Sequence, residues 1–390
     1  MIRDNHSIFN APYLLFLLLF PGTILYYVAI TSGVFPPLPA GYFGIVSAGA
    51  LAMLIPMYAW AHIRTLRVNV TDLSYMLFLL YFLLIATINR SSSDDYMFAW
   101  HLTAIAQSLS VFLICKGVAG TYIRPRILLL FSWIIVSACM MYYTVGGRFS
   151  LREMSDLNHI PSYQTFALCY FLLSFLIVYQ TSKRLVRLPI ILVSFACLYI
   201  NGARSEFVGY ILFAAIFELS LSKNKAIPFI AAISIAMLSI LVASSGIVEL
   251  PESRITNLID LQNDNSSRER ERIASEGVER IMENPIFGDY GNYEKGEYIH
   301  NILSAWHDLG LAGFLFVIAI VGAPTLKLLI MISSGQRLSK QSLAIFALLV
   351  CSALLLFAGK YFTYLMIPAA LGFYSSSQRT HTTLSSDKYI

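Results

Sequence analysis

Asn284-Pro285-Ile286-Phe287-Gly288 opens the stretch that decides the fold, and Leu309-Gly310-Leu311-Ala312-Gly313-Phe314 closes it. Between them runs a loop rich in Gly, Tyr and Glu, followed by Tyr298-Ile299-His300-Asn301-Ile302-Leu303. A polar loop thus hands a histidine and an asparagine directly to the mouth of a long apolar run. The remainder of the chain reads as the scaffold that holds this loop against a membrane.

Composition points the same way. Of 390 residues, 57% are hydrophobic and only 13% charged, and mean hydropathy is +0.68. Soluble domains lie nearer one half apolar and one quarter charged. The excess falls in runs of about 17–25 residues, the length a helix needs to cross a bilayer. Helices are the expected spanning element, because lipid offers exposed backbone groups no partners. About twelve spans are expected, at 11–31, 41–61, 71–88, 98–115, 127–145, 161–181, 189–201, 205–220, 226–247, 301–326, 342–358 and 361–375. The pair 189–201 and 205–220 is interrupted only by Gly202-Ala203-Arg204, and reads either as two short tilted helices or as one broken helix. No fixed-period repeat and no linker divides the chain, so residues 1–390 are expected to form one membrane domain.

Charge gives the orientation. Loops after the even-numbered spans carry Arg64, Arg67, Lys116, Arg124, Arg126, Lys183, Arg184, Arg187, Lys223, Lys225, Lys327, Arg337 and Lys340, thirteen cations. The opposite loops carry Arg90, Arg148, Arg152, Arg204 and Lys360, five. The richer side is expected to be cytoplasmic, with both termini on it and the first span retained rather than cleaved. The net charge of +5 is then topological information, not a nucleic-acid footprint. Cys115, Cys139, Cys169, Cys197 and Cys351 lie in or beside apolar runs and indicate no disulfide framework.

The opposite side carries the one sizeable extramembrane segment, the loop 248–300. Ser266 and Glu269 form a capping box, and Pro285 stops a helix before it, so a helix over about 267–284 is expected. Ile273, Ala274, Gly277 and Ile281 share one side of it, which would lie down on the membrane surface. Arg270 falls on that stripe, while Arg268 and Arg272 point elsewhere. An arginine there either meets an anion near the helix N-terminus or snorkels to lipid headgroups.

Arg204 stands between two apolar runs on the same side. A guanidinium at that depth either clamps a phosphate bidentately or pairs with Glu206. Arg148, Arg152 and His159 are lesser candidates. His300 lies at the outer end of the span beginning near Asn301, and an imidazole with an ordinary pKa near 6.5 suits proton transfer. His307, seven residues on, would share the site or merely pack. Gly310 and Gly313 fit close helix packing. No His, Cys or carboxylate pair has metal-ligand spacing, and there is no nucleotide-cradling glycine loop. No metal or cofactor is expected.

In this order, Gly202-x-Arg204-Ser205, Ser266, Arg270, Asn284-Pro285-Ile286-Phe287-Gly288, His300-Asn301 and Gly310-x-x-Gly313 resemble the O-antigen ligase/polymerase family. The motif-bearing part spans about 200–315. The resemblance implies a C-type glycosyltransferase-like membrane fold with one long periplasmic loop, in a bacterial inner membrane. It implies transfer of glycan from an undecaprenyl-pyrophosphate-linked oligosaccharide, without metal, during lipopolysaccharide synthesis. Carried over by position, Arg204 and Arg270 bind the pyrophosphate, His300 activates the acceptor hydroxyl and Asn301 supports it. Inversion at the anomeric carbon follows from a single displacement. Where many members carry Trp after the loop arginine this chain has Ala274, so the clamp stays open among Arg268, Arg270 and Arg272. A chain-length regulator protein is an implied partner.

Two activities of the family share this pattern. A polymerase joins lipid-linked repeat units, and a ligase attaches the glycan to lipid A–core. The aromatic content (Phe 26, Tyr 23) and compact outer loop favour the polymerase. A flippase or other transporter predicts internal repeats and charges along several spans, which the sequence does not display.

Overall fold

A computed structural model describes residues 11–39, 41–65, 69–91, 95–119, 126–151, 160–222, 265–294 and 296–386. The chain is almost entirely helical. In order come α1 (Ala11–Thr31), α2 (Tyr42–Thr65), α3 (Val70–Ile88), α4 (Asp95–Ala119), α5 (Arg126–Tyr142), α6 (Tyr163–Gln180), α7 (Arg184–Asn201) and α8 (Arg204–Leu221). Then follow α9 (Asn265–Glu283), α10 (Leu303–Ser333), α11 (Lys340–Gly359) and α12 (Met366–Ser386). Eight of these are long and apolar enough to cross a membrane, and α5 is a shorter apolar helix. The chain therefore has the make-up of an all-α multi-pass membrane protein. The span expected at 226–247 and the loop 248–264 lie outside the described residues.

The centre of the bundle is α6. Every residue from Phe166 to Tyr179 is buried, with Phe213 and Phe373 packed on Phe175 and Tyr27 on Phe166. An apolar helix that is buried all round is packed by protein rather than lipid. By contrast α2 is mostly uncovered, and large side chains such as Trp60, Leu80, Phe131 and Leu185 stand exposed on the periphery. So much bare apolar surface is not tolerated in water and is what lipid would cover.

The stretch 189–221 resolves as two helices of 18 residues each, α7 and α8, rather than one broken element. Gly202 makes the break with a φ of 76°, the left-handed conformation that ends helices. A small element also appears where only a loop was expected. Thr144–Val145 and Arg148–Phe149 pair as an antiparallel hairpin. Gly146 and Gly147 both take positive φ, as a two-residue hairpin turn requires.

Among the described residues, buried charges collect at the two ends of the bundle, not along its middle. At one end Lys116 lies 2.5 Å from Asp72, which also accepts from Ser375. Nearby Arg187 lies 2.5 Å from Glu218. At the other end are Glu206, Lys360, Asp308 and His307. On one side the pairs join the starts of α3 and α7 to the ends of α4 and α8, and Lys340 at the start of α11 donates to the Thr181 carbonyl at the end of α6. On the other side Lys360 and Tyr361, just after α11, meet Glu206 at the start of α8 and Asp308 at the start of α10. This is the alternation that the order of the spans requires.

Candidate active site at the end of the bundle

The stretch 284–314 is built as an interlock. Gly310 lies within α10 but has φ 68° and ψ −175°, so the helix is broken there. In an unbroken helix the Leu311 amide would bond to the His307 carbonyl. Here the Leu311 N–H donates to the Ile286 carbonyl (3.2 Å), and the His307 carbonyl accepts from the Asp289 N–H (2.6 Å). The loop has threaded into the gap and satisfied both orphaned groups. Trp306 Nε1–H donates to the Pro285 carbonyl (2.7 Å), and Tyr81 donates to the Leu309 carbonyl (2.8 Å). Gly288 has φ 76°, and a Cβ there would sit 2.7 Å from the Gly310 amide nitrogen. A Cβ on Gly310 would strike the Ile286 carbonyl. The two glycines are therefore needed for loop-on-helix contact. The expectation of helix–helix packing is corrected at Gly310, whose neighbours are the loop residues Ile286 and Phe287.

The interlock presents His300 to a cavity of about 450 Å³ at this end of the bundle. The lining includes His300, Arg270, Lys360, Glu206, Tyr298 and Trp100. Arg270 arrives on α9, whose observed range is within two residues of the expected helix. Ile273, Gly277 and Ile281 are buried on its inner side. That side does not rest on lipid. Gly277 is held against Ile299 so closely that a Cβ would overlap the isoleucine side chain. The amphipathic pattern is satisfied by protein, so Arg270 at the end of the stripe is aimed at the cavity. Arg270 makes no ion pair among the described residues.

His300 packs against Tyr298 in a tilted arrangement, ring centroids 4.4 Å apart. Burial, then the charges of Arg270 and Lys360, hold its imidazole down to about 4. All three causes disfavour a positive ring. The histidine is therefore neutral at pH 7 and a weaker base than the ordinary value of 6.5 suggests.

Lys360 follows α11 and is buried. Its Nζ lies 2.5 Å from Glu206 Oε1, which also accepts from Tyr364 (3.1 Å); Ser205 donates to Oε2 (2.9 Å). Glu206 itself is fully buried. Its oxygens are occupied, so its place in the site is to fix the ammonium group.

The sequence candidates separate. His300 and Arg270 share the cavity. Arg204 opens α8 and is half-buried, but the cavity is lined by its neighbours Ser205 and Glu206, not by Arg204. Of the two roles left open for Arg204, the pair with Glu206 is not the one formed, because Glu206 is held by Lys360. Arg272 is exposed and engaged by Glu269 (2.6 Å), Glu276 (2.7 Å) and Glu297 (3.3 Å). It does not reach the cavity, because it lies two residues from Arg270 and so on another side of the helix. The side chain of Arg268 lies outside the described residues, as do Arg152 and His159. Asn301 has a local structural job: its Oδ1 accepts from the Leu303 amide (2.8 Å) at the start of α10.

His307 does not join His300. It is buried with Nδ1 2.9 Å from Asp308 Oδ1. Asp308 Oδ2 also accepts from Tyr293 (3.0 Å) and from Tyr361. His101 links Tyr290 (2.7 Å) and Tyr361 (2.8 Å) on its two ring nitrogens. This network ties the loop, α4, α10 and the segment after α11 together directly behind the cavity. It was not foreseen, since its members are scattered from residue 101 to 361. Lys360 was also missed as a site residue, although a lone cation between two apolar runs is the signal that singled out Arg204.

Comparison of the chain with known protein families and with characterised proteins returns no match.

Proposed function

We propose that this chain is a glycosyltransferase acting on lipid-diphosphate-linked glycans at the outer face of a bacterial inner membrane. Within that class we assign it to O-antigen polymerisation. The observation that carries the reading is the meeting of His300, Arg270 and Lys360 on one cavity at one end of a membrane-type bundle. A neutral imidazole beside two cations suits transfer from a diphosphate leaving group.

In this mechanism a sugar hydroxyl of the acceptor attacks the anomeric carbon of the donor. The new C1–O bond forms as the bond from C1 to the diphosphate oxygen breaks, with inversion. Arg270 and Lys360 stabilise the charge that develops on the departing diphosphate. His300 takes the hydroxyl proton. The depressed basicity of His300 then has a use. The cations that lower it are neutralised when the diphosphate binds, so the imidazole becomes a stronger base once the donor is in place. Arg204, which does not line the cavity, remains a second candidate for the diphosphate.

The aromatic-rich spans and compact outer loop are what favour polymerase over ligase. The test is lipopolysaccharide analysis of a deletion strain complemented with variants. A single repeat unit on lipid A–core after deletion identifies a polymerase. Complete absence of the repeat identifies a ligase. Loss of the ladder is expected for His300→Ala and Arg270→Ala at normal protein level. A normal ladder with His300→Ala overturns the base role.

A further inference from the structure

The cavity also carries an aromatic wall. Trp100, Tyr298 and Tyr361 meet there, with centroids 5.2 Å apart for Trp100–Tyr361, 5.6 Å for Trp100–Tyr298 and 4.9 Å for Tyr298–Tyr361. The wall is fixed from behind. Tyr361 is anchored through its hydroxyl to His101, Tyr293 and Asp308, and Trp100 stacks on His101 at 4.9 Å. Its hydroxyl being occupied, Tyr361 offers the cavity its ring.

The same cavity is lined by Gln107, Ser162, Gln164, Thr165 and Thr363. None of these five side chains hydrogen-bonds within the protein among the described residues. Gln107 sits two turns beyond Trp100 on α4, and Ser162, Gln164 and Thr165 come from the first turn of α6. In otherwise apolar helices, uncommitted amides and hydroxyls facing a cavity are costly unless water or a ligand meets them. A rigid aromatic face beside neutral donors and acceptors matches one ligand chemistry, a hydroxylated sugar ring. Its C–H face packs on the aromatic surface and its hydroxyls meet the amides.

We infer that the Trp100–Tyr298–Tyr361 wall, with the neutral side chains of α4 and α6, is the subsite for an uncharged sugar ring, and that Trp100 and Gln164 select it. This rests on the proposed transferase function and deepens it. Arg270, Lys360 and His300 hold the phosphate end, and the neutral wall reads the glycan.

The experiment uses the purified full chain in nanodiscs and two probes, farnesyl diphosphate and farnesyl diphosphate carrying one N-acetylhexosamine. Wild type is expected to bind the sugar-bearing probe at least about tenfold more tightly. Trp100→Ala should abolish that advantage and leave farnesyl diphosphate binding within about twofold. Gln164→Leu, on a different helix, should reduce the advantage without disturbing the aromatic packing. It keeps the test open should Trp100→Ala fail to fold. Arg270→Ala should weaken both probes. Equal binding of the two probes to wild type overturns the sugar subsite alone. Equal weakening of both probes by Gln164→Leu or Trp100→Ala overturns it too. Absence of farnesyl diphosphate binding to wild type overturns the transferase reading, and the subsite with it.

Discussion

The Nζ of Lys360 lies 2.5 Å from Oε1 of Glu206, across 154 positions of sequence, and both side chains are buried. The pair joins the end of α11 to the first turn of α8 on the wall of the cavity. Removing one member strands the other's charge, which costs about 3–5 kcal/mol in a buried site. Lys360→Met should therefore destabilise strongly, seen as a large drop in thermal midpoint in detergent. The double change Lys360→Met with Glu206→Gln should recover most of that stability. If Lys360 acts on the diphosphate, the double variant stays inactive in ladder assays although it folds. Recovered activity would make the pair purely structural.

Arg272 supplies the contrast. Its partners are all exposed, and water screens such pairs. Arg272→Ala should leave ladder length and thermal midpoint unchanged, while Arg270→Ala two residues away abolishes the ladder. Similar losses in both variants would mean that α9 acts as a unit rather than through Arg270.

His300 sets a pH dependence with a definite sign. Its folded value, about 4, lies below the ordinary 6.5. Between those values the unfolded chain binds the proton and the folded chain does not. Stability contributed by the neutral ring is full above about pH 6.5 and is lost as pH falls toward 4, by at most about 1.4 kcal/mol per pH unit. His300→Gln should flatten this slope in melts between pH 7 and 4. Arg270→Ala should raise the His300 value by removing a repelling charge, read by proton titration of the ring. An unchanged value in that variant would separate Arg270 from the imidazole.

The interlock predicts which glycines are indispensable. Gly310→Ala combines a φ of 68° with a clash against the Ile286 carbonyl, and Gly288→Ala repeats both faults. Each should cost more than about 2 kcal/mol and lower the folded yield. Gly322→Ala, in the same helix with open space at its Cβ, should fold like wild type. A well-folded Gly310→Ala protein would show that the loop can leave the gap.

The two ends of the bundle should face opposite compartments. Val34, after α1, belongs to the cavity end, and Gln336, between α10 and α11, belongs to the other; both are exposed. In a background lacking the partly exposed Cys139, a cysteine at 34 should react with a membrane-impermeant maleimide in intact spheroplasts. A cysteine at 336 should react only after lysis. The reverse pattern would turn the cavity toward the cytosol and end the proposed function.

The sequence by itself determined the class of the protein, the order of most of its apolar helices, a helix over about 267–284 and the stripe bearing Arg270. These are local properties: a run of about 20 apolar residues must cross lipid or be buried, and a 3.6-residue stripe must find a covering. It also singled out His300, because a histidine at the mouth of a span is conspicuous in one dimension. Only the tertiary structure decided what covers the stripe, which cation faces His300 and what Gly310 is for. Lys360, Glu206 and Trp100 come from three separated segments, and nothing in their neighbours' spacing relates them. Packing of the helix ends brings them together. The same packing draws Ile286 and Asp289 into the gap at Gly310, where a broken helix has two unpaired backbone groups to satisfy.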